Sequence, residues 1–449
     1  MSGLEYRNTQ TQVKHEILMR YLDTWGGIIL RGLSRSNRQH GWHFIYVDCF
    51  AYKGIYAGDQ EDFLQHRFSG PVFGSAIIGV QALDKLAAYA ANNGIHICTN
   101  AITIEKDPGI FRELEQTFQK YGFGGRIRKT ADFSSLSNGE IALINGDSTK
   151  LVDKLLAYTD NKYTWAFYLL DPYGASGIPY DFVKKIVSGP RHDVMINFIY
   201  EDFLRKTGMA LMDSLNPKYK QLVDLWKKAF GDHFWNQIVL KTLQDIRDHR
   251  NWRDALEGVP LDDMKETDLF SDSQLTEIKE RSLIFGYQKV LQSMDPEIAI
   301  KLSALRFPDK ERTMFYLFLT THDPTGALQL NQILRDAKLL EYELRFKLYT
   351  LRHVPPGQLS LFDPLVSIPK PSIEERPTSD EVASVIYQRL QGKSLTRKQI
   401  YANLTDTLFF PLEIDSALKL LKRNGKLSFD GNQLNHRTQI RFTFEIVSL

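Results

Sequence analysis

Six apolar runs recur along the chain with little polar interruption, and most of them stop at a carboxylate. They read HFIYVDCF (43–50), NAITIEKD (100–107), EIALINGD (140–147), WAFYLLDPYG (165–174), DVMINFIYED (193–202) and TMFYLFLTTHD (313–323). A strand with one wet face alternates apolar and polar residues, whereas a run without alternation is buried on both faces. Between most of these runs lie helical patterns such as GSAIIGVQALDKLAAYAANN and PGIFRELEQTFQKYG. Strands alternating with helices build a parallel sheet covered on both sides, so the expected fold class is α/β with a Rossmann-like sheet. Ligands of such sheets sit beyond the carboxyl ends of the strands. Here that edge carries Asp48, Glu105, Asp147, Asp171 and Glu201.

The alternation is framed by other patterns. Val13, Ile17, Leu18, Tyr21, Leu22 and Trp25 form a helical stripe before the first run. Residues 203–300 are charge-rich and helical, and the run at 313 resumes the sheet, so this stretch is an insertion in a domain spanning 1–353. Its Trp226, Lys227, Lys228, Trp235 and Trp252 suit an aromatic–basic surface for bases, but equally an insertion that packs its own aromatics. Residues 354–379, VPPGQLSLFDPLVSIPKPSIEERPTS, are a proline-rich linker.

Residues 380–449 form a second unit. A capping box at Thr378–Glu381 opens one helix, TRKQIYANL gives another, and a third runs from Pro411 toward Gly425. A hairpin around Asp430-Gly431 follows, and three helices with a hairpin make a winged helix-turn-helix. Its third helix and wing offer Lys419, Lys422, Arg423, Lys426, His436, Arg437 and Arg441, a set suited to phosphates of DNA or RNA. Winged helices also dock proteins, and a solvated basic face has the same appearance.

Composition removes other classes. The 449 residues carry a formal net charge of +2, so any nucleic-acid footprint is local rather than global. Two cysteines, Cys49 and Cys98, allow neither a disulfide framework nor a thiolate metal cage, and they fit a reducing cytoplasm. His40 and His43 have no ligand cluster beside them, so no metal is expected. The first residues lack the apolar core of a signal peptide, and no run approaches the roughly 18 apolar residues of a membrane span. A nucleophile elbow and a phosphate-binding Gly-Lys-Ser/Thr loop are both absent.

The strand ends suit a nucleoside cofactor such as S-adenosylmethionine. Asp48 and Gly54 flank the turn after the first run, VDCFAYKGIYAGD, where a glycine lets backbone approach a ligand. Glu105 is placed to accept ribose hydroxyls, and Asp147 to address the adenine amine. After the fourth run, Asp171-Pro172-Tyr173 offers acceptors for an exocyclic amine and a ring to stack on a base. A structural Asp-Pro turn is the plainer explanation of the same residues.

KHEILMRYLDTW, YVDCFAYKGIY, GSAIIG, LLDPYGASGIP and VMINFIYED together resemble the three-Cys-motif partner (TcmP) family of bacteria, over most of the chain up to about residue 350. The resemblance implies a class I S-adenosylmethionine-dependent methyltransferase fold and a radical-SAM partner protein bearing the three cysteines. The DPYG turn is also similar to the Asp-Pro-Phe-Gly of tRNA guanosine dimethyltransferases, which points to a nucleic-acid amine. The chain departs from the family pattern Phe-Ala-Gly-x-Gly at Tyr52, where a β-carbon and ring stand in place of the first glycine. That departure puts cofactor binding in doubt. In the linker, Gln358, Leu359, Leu361 and Phe362 belong to QLSLF, which resembles the pentapeptide that engages the replication sliding clamp. Two readings follow: a methyltransferase acting on a nucleic-acid amine, or a non-catalytic adaptor on a degenerate methyltransferase sheet that brings a radical-SAM partner to DNA.

Overall fold

The structure, a computed structural model, describes residues 4–33, 41–67, 70–174, 178–201, 221, 224, 227, 228, 230–232, 272–308, 312–353, 376–429, 434 and 438–443. Helix α1 (Thr9–Leu33) precedes β1 (Trp42–Asp48), and a small hairpin of β2 (Ile55–Tyr56) and β3 (Val72–Phe73) encloses α2 (Gln60–Leu64). Then come α3 (Ser75–Asn92), β4 (Ile97–Glu105), α4 (Pro108–Lys120), β5 (Ile127–Arg128), β6 (Ile141–Asn145) and α5 (Ser148–Thr159). They are followed by β7 (Thr164–Leu170), α6 (Tyr180–Val187), β8 (His192–Phe198), α7 (Asp272–Met294), β9 (Ala299–Arg306), β10 (Thr313–Thr321) and α8 (Pro324–His353). Beyond them lie α9 (Ser379–Leu390), β11 (Ser394–Thr396), α10 (Arg397–Ala402), α11 (Pro411–Arg423), β12 (Leu427–Phe429) and β13 (Gln439–Phe442).

All six apolar runs are strands of one eight-stranded sheet, ordered β5-β6-β4-β1-β7-β8-β10-β9. From β5 to β8 every pairing is parallel, while β10 runs antiparallel to both β8 and β9. Alternate residues of each strand supply the two cores. Ile45, Val47, Ile102, Ile104, Tyr168, Leu170 and Ile196 face α5, α6 and α7. Phe44, Tyr46, Leu143, Phe167, Leu169 and Leu317 face α1, α3, α4 and α8. The stripe read on α1 is buried in full against this second core. Strand β9 falls outside the apolar runs: its AIKLSALR is only partly buried at the sheet edge, so the pattern that marks inner strands is missing.

Helices start where the sequence supplies acceptors for their free amides. Asp107 accepts from Gly109 N (2.7 Å) and Ile110 N (2.9 Å) ahead of Pro108 in α4, and Thr378 and Glu381 close the capping box of α9. The C-terminal unit packs α9, α10 and α11 on a three-stranded sheet ordered β11-β13-β12. Leu328 of α8 enters its core, while Lys301 Nζ and Asn331 Nδ2 each donate to the Thr407 carbonyl at 2.9 Å. The linker at 354–375, the hairpin tip at 430–433 and most of the 203–300 insertion lie outside the described residues.

Close approach of α3 to the sheet depends on one glycine. A β-carbon at Gly79 would lie 2.1 Å from the ring of Tyr46, which is itself fully buried. Gly79→Ala is therefore expected to lower stability by about 1–3 kcal/mol despite its better helix propensity. Urea unfolding measures this, and a loss under about 0.5 kcal/mol would mean that α3 shifts outward freely.

Candidate functional site

Because β6, β4, β1 and β7 are parallel neighbours, their carboxyl ends deliver Asp147, Glu105, Asp48 and Asp171 in that order along one rim. Glu201, past the end of β8, pairs instead with Arg312.

Asp48, the last residue of β1, is wholly buried. It accepts from Phe50 N at 3.2 Å, and Tyr46 Oη lies 3.4 Å away while donating to the Ser75 carbonyl at 3.1 Å. Burial raises its pKa to about 7, against hydrogen bonds from Ser75 and Phe50, and the Asp171 charge adds to the rise.

The loop after β1 is fastened to β4. Tyr52 has a φ of +50°, in the left-handed region that favours glycine. Its N–H donates to Glu105 Oε2 at 3.0 Å, and Ala51 N donates to the Ile104 carbonyl at 3.0 Å. The Tyr52 side chain turns to the N-terminal segment, where its hydroxyl donates to Glu5 Oε1 at 3.2 Å. Burial and then the Glu5 charge push this phenol up to about 12. Gly54, with φ +69°, follows two residues later. A β-carbon there would lie 2.8 Å from Leu114 Cδ1, so this glycine serves the packing of α4.

Glu105 accepts a second backbone amide, from Asp107 at 2.8 Å, through Oε1. An ionised carboxylate has about four acceptor positions, so each oxygen keeps one for another donor. Asp147 caps α5 by accepting from Thr149 N (3.1 Å) and Thr149 Oγ1 (2.7 Å), and it pairs with Lys106 at 2.9 Å. Partial burial pushes its pKa up, but the Thr149 and Lys106 contacts outweigh that and leave it below the ordinary value.

Asp171 is met from two sides. Lys14 Nζ, on α1, donates to Oδ2, and Asn197 Nδ2, on β8, donates to Oδ1 at 2.6 Å. Pro172 is buried, while the ring of Tyr173 is fully exposed beside them. Tyr173 is close enough to Tyr52 to influence its phenol. Lys14 and Asn197 were not singled out by the sequence patterns. Asn197 carried a signal, as a polar residue inside the buried run VMINF, whereas Lys14 sits beside the buried stripe of α1 and reads as its solvated neighbour.

In the C-terminal unit the expected cations differ in what they do. Lys422 Nζ donates to the Phe429 carbonyl at 2.9 Å and lies 3.9 Å from that ring's centroid. Lys426 lies over Tyr387 at 4.6 Å. Lys419 and Arg423 are exposed on the same face of α11 as Leu412, which is 76% exposed. Arg437, His436 and the segment with Gln358, Leu359, Leu361 and Phe362 lie outside the described residues. A cavity of about 520 Å³ is lined by Tyr180, Asp181, Asp224, Lys227, Lys228 and Asp232. None of the rim carboxylates lines it, and the convergence of acceptors on the rim is the better guide to chemistry.

No protein-family model matches the chain, and no curated protein is detectably similar to it in sequence. A crystal structure of protein LPL1258 from Legionella pneumophila, assigned to the family model DUF519, is similar with 11% identity and a TM-score of 0.36. That likeness covers 74% of this chain and 92% of the other. Among the described residues no helix is long and apolar enough to cross a membrane, and no cluster of three or more acidic, His or Cys side chains could hold a metal ion.

The raised pKa of Asp48 has a defined consequence for stability. Its folded value, about 7, exceeds the ordinary 3.8, so the folded state holds the proton more tightly between those limits. Its contribution to stability is therefore present at low pH and is lost as pH rises toward and past 7. Asp48→Asn is expected to gain stability relative to the parent at pH 8 and to lose that advantage at pH 4. Unfolding titrations at both pH values measure it, and a pH-independent difference would exclude a neutral Asp48.

Proposed function

We propose that this chain is a class I methyltransferase acting on an amine of a nucleic acid, with S-adenosylmethionine as methyl donor. The observation that carries the reading is the alignment of Asp147, Glu105, Asp48 and Asp171 along one rim, on four adjacent parallel strands. The placement of antiparallel β10 between β8 and β9 supports it, because class I methyltransferase sheets insert their antiparallel strand in this way. The acceptor chemistry fits the donor molecule. Glu105 keeps an acceptor position on each oxygen for ribose hydroxyls, the loop from Asp48 to Gly54 adjoins it, and the Tyr52 hydroxyl bonds to Glu5.

Bound S-adenosylmethionine supplies a methyl group made electrophilic by its sulfonium. Asp171 accepts an N–H of the substrate amine and fixes the nitrogen in place, while Pro172 stiffens the turn. Tyr173, exposed at the rim, stacks on the flat base that carries the amine. Alignment of this kind is the main work required of the protein in a direct displacement.

The C-terminal unit, read as a winged helix, guides the chain to DNA or RNA. Its helix–strand–helix–helix–strand–strand order supports this, with Lys419 and Arg423 exposed on α11. A radical-SAM partner and contact with the sliding clamp accompany the reading through the sequence resemblances alone, and a cytoplasmic workplace through the two cysteines, Cys49 and Cys98.

A second reading has its own support. Glu105 already holds the amides of Tyr52 and Asp107, and Asp171 is held by Lys14 and Asn197. A rim whose acids are met from within the protein also suits a non-catalytic adaptor that joins a partner to DNA.

Calorimetric titration of the full chain with S-adenosylmethionine tests the first reading. Binding is expected, with loss in Glu105→Ala, strengthening in Tyr52→Gly, and retention in Asp171→Ala together with loss of methyl transfer. No binding to either the parent or Tyr52→Gly would overturn it. An adaptor would instead keep its nucleic-acid and partner binding with Glu105 and Asp171 both replaced.

A further inference from the structure

A buried ammonium with one partner is an incomplete site. Lys14 is 8% exposed, and its only hydrogen bond among the described residues goes to Asp171 Oδ2. The Phe315 ring lies 5.9 Å from its Nζ and fills one side. An ammonium has three N–H donors, so two of them have no hydrogen-bond acceptor among the described residues. On the other side of the same carboxylate, Asn197 is also buried, and its Oδ1 has no hydrogen-bond partner among the described residues. Unmet polar groups at this depth cost stability unless water or a ligand completes them. Asp171 meanwhile takes one donor on each oxygen, which leaves each an acceptor position, and its carboxylate is partly exposed next in sequence but one to the exposed Tyr173 ring.

We infer that Lys14 and Asp171 act as one donor–acceptor pair that reads an amidine edge, an exocyclic amine beside an unprotonated ring nitrogen, as found on adenine and cytosine. This deepens the methyltransferase reading and rests on it for the identity of the site. Asp171 accepts the amine N–H, and a free Lys14 N–H donates to the adjoining ring nitrogen: N1 of adenine or N3 of cytosine. The Watson–Crick edge of guanine presents two donors, N1–H and N2–H, side by side. A lone carboxylate would take both, but Lys14 meets the second with another donor. Guanine also offers N2 beside N3, where the sugar on N9 crowds the approach. Uracil and thymine have no exocyclic amine to offer. Lys14 is thus a specificity-determining residue contributed by α1, an element that does not belong to the strand-end loops.

Equilibrium binding of the full chain to fluorescent oligothymidylate carrying one central dA, dC or dG tests this without a methyl donor. The single dA or dC is expected to bind roughly tenfold more tightly than dG, as a well-made bidentate base contact would give. Replacing dA by its 1-deaza analogue, which lacks the ring nitrogen but keeps the amine, should remove that preference in the parent protein. Lys14→Met should erase or reverse the order in favour of dG. Equal binding of dA, dC and dG by the parent, no binding of any of the three, or indifference to 1-deaza-adenine would each overturn the inference. The deaza experiment needs no variant, so it decides the matter even if Lys14→Met fails to fold. Titration with S-adenosylmethionine reports separately on the methyltransferase reading, so a failure of either can be told from a failure of the other.

Discussion

The parallel ladder from β6 through β4 and β1 to β7 governs the rest of this molecule. Parallel strands in fixed register end together, so whatever follows each strand must gather at one edge. Backbone groups there lose their ladder partners, and a cluster of acids accumulates in a confined space. The protein answers with donors from the adjoining turns and from distant elements. Loop amides of Tyr52 and Asp107 come to Glu105, Thr149 comes to Asp147, and α1 sends Lys14 across to Asp171. Helix α1 is thus both a cover for one face of the sheet and a supplier of charge to its edge.

The inner strands were legible because burial on both faces keeps polar residues few, and all six runs are strands of the central sheet. Cap positions such as Thr378–Glu381 were legible too, since their hydrogen bonds join residues three apart. Strand β9 was not, because an edge strand tolerates Lys301 and Ser303 among its apolar residues and so loses the pattern. Partnerships across long sequence distance were equally hidden. Nothing near Lys14 announces Asp171, which lies 157 positions away, because only the packing of α1 on the sheet brings them together. The candidate acids could be found from the sequence, but not how far their oxygens are already occupied.

The cations of the C-terminal unit teach a similar lesson at short range. Lys422 and Lys426 belong to a basic cluster in sequence, yet each lies over an aromatic ring of its own domain. A lysine stem laid along apolar surface covers it and contributes packing as well as charge. Lys419 and Arg423 remain the exposed members on α11, and Leu412 shares their face.

Tyr52 gives the loop after β1 a property that a glycine would not. A residue with a β-carbon held in the left-handed region carries strain of about 1–2 kcal/mol, which must be offset locally. The Glu105 carboxylate provides one anchor through the amide, and Glu5 another through the hydroxyl. The bend of the loop and the occupancy of Glu105 are therefore mechanically linked. Replacing the carboxylate of Glu105 would release the amide that offsets this strain, so the loss of one acid on β4 reaches the backbone after β1 through Tyr52.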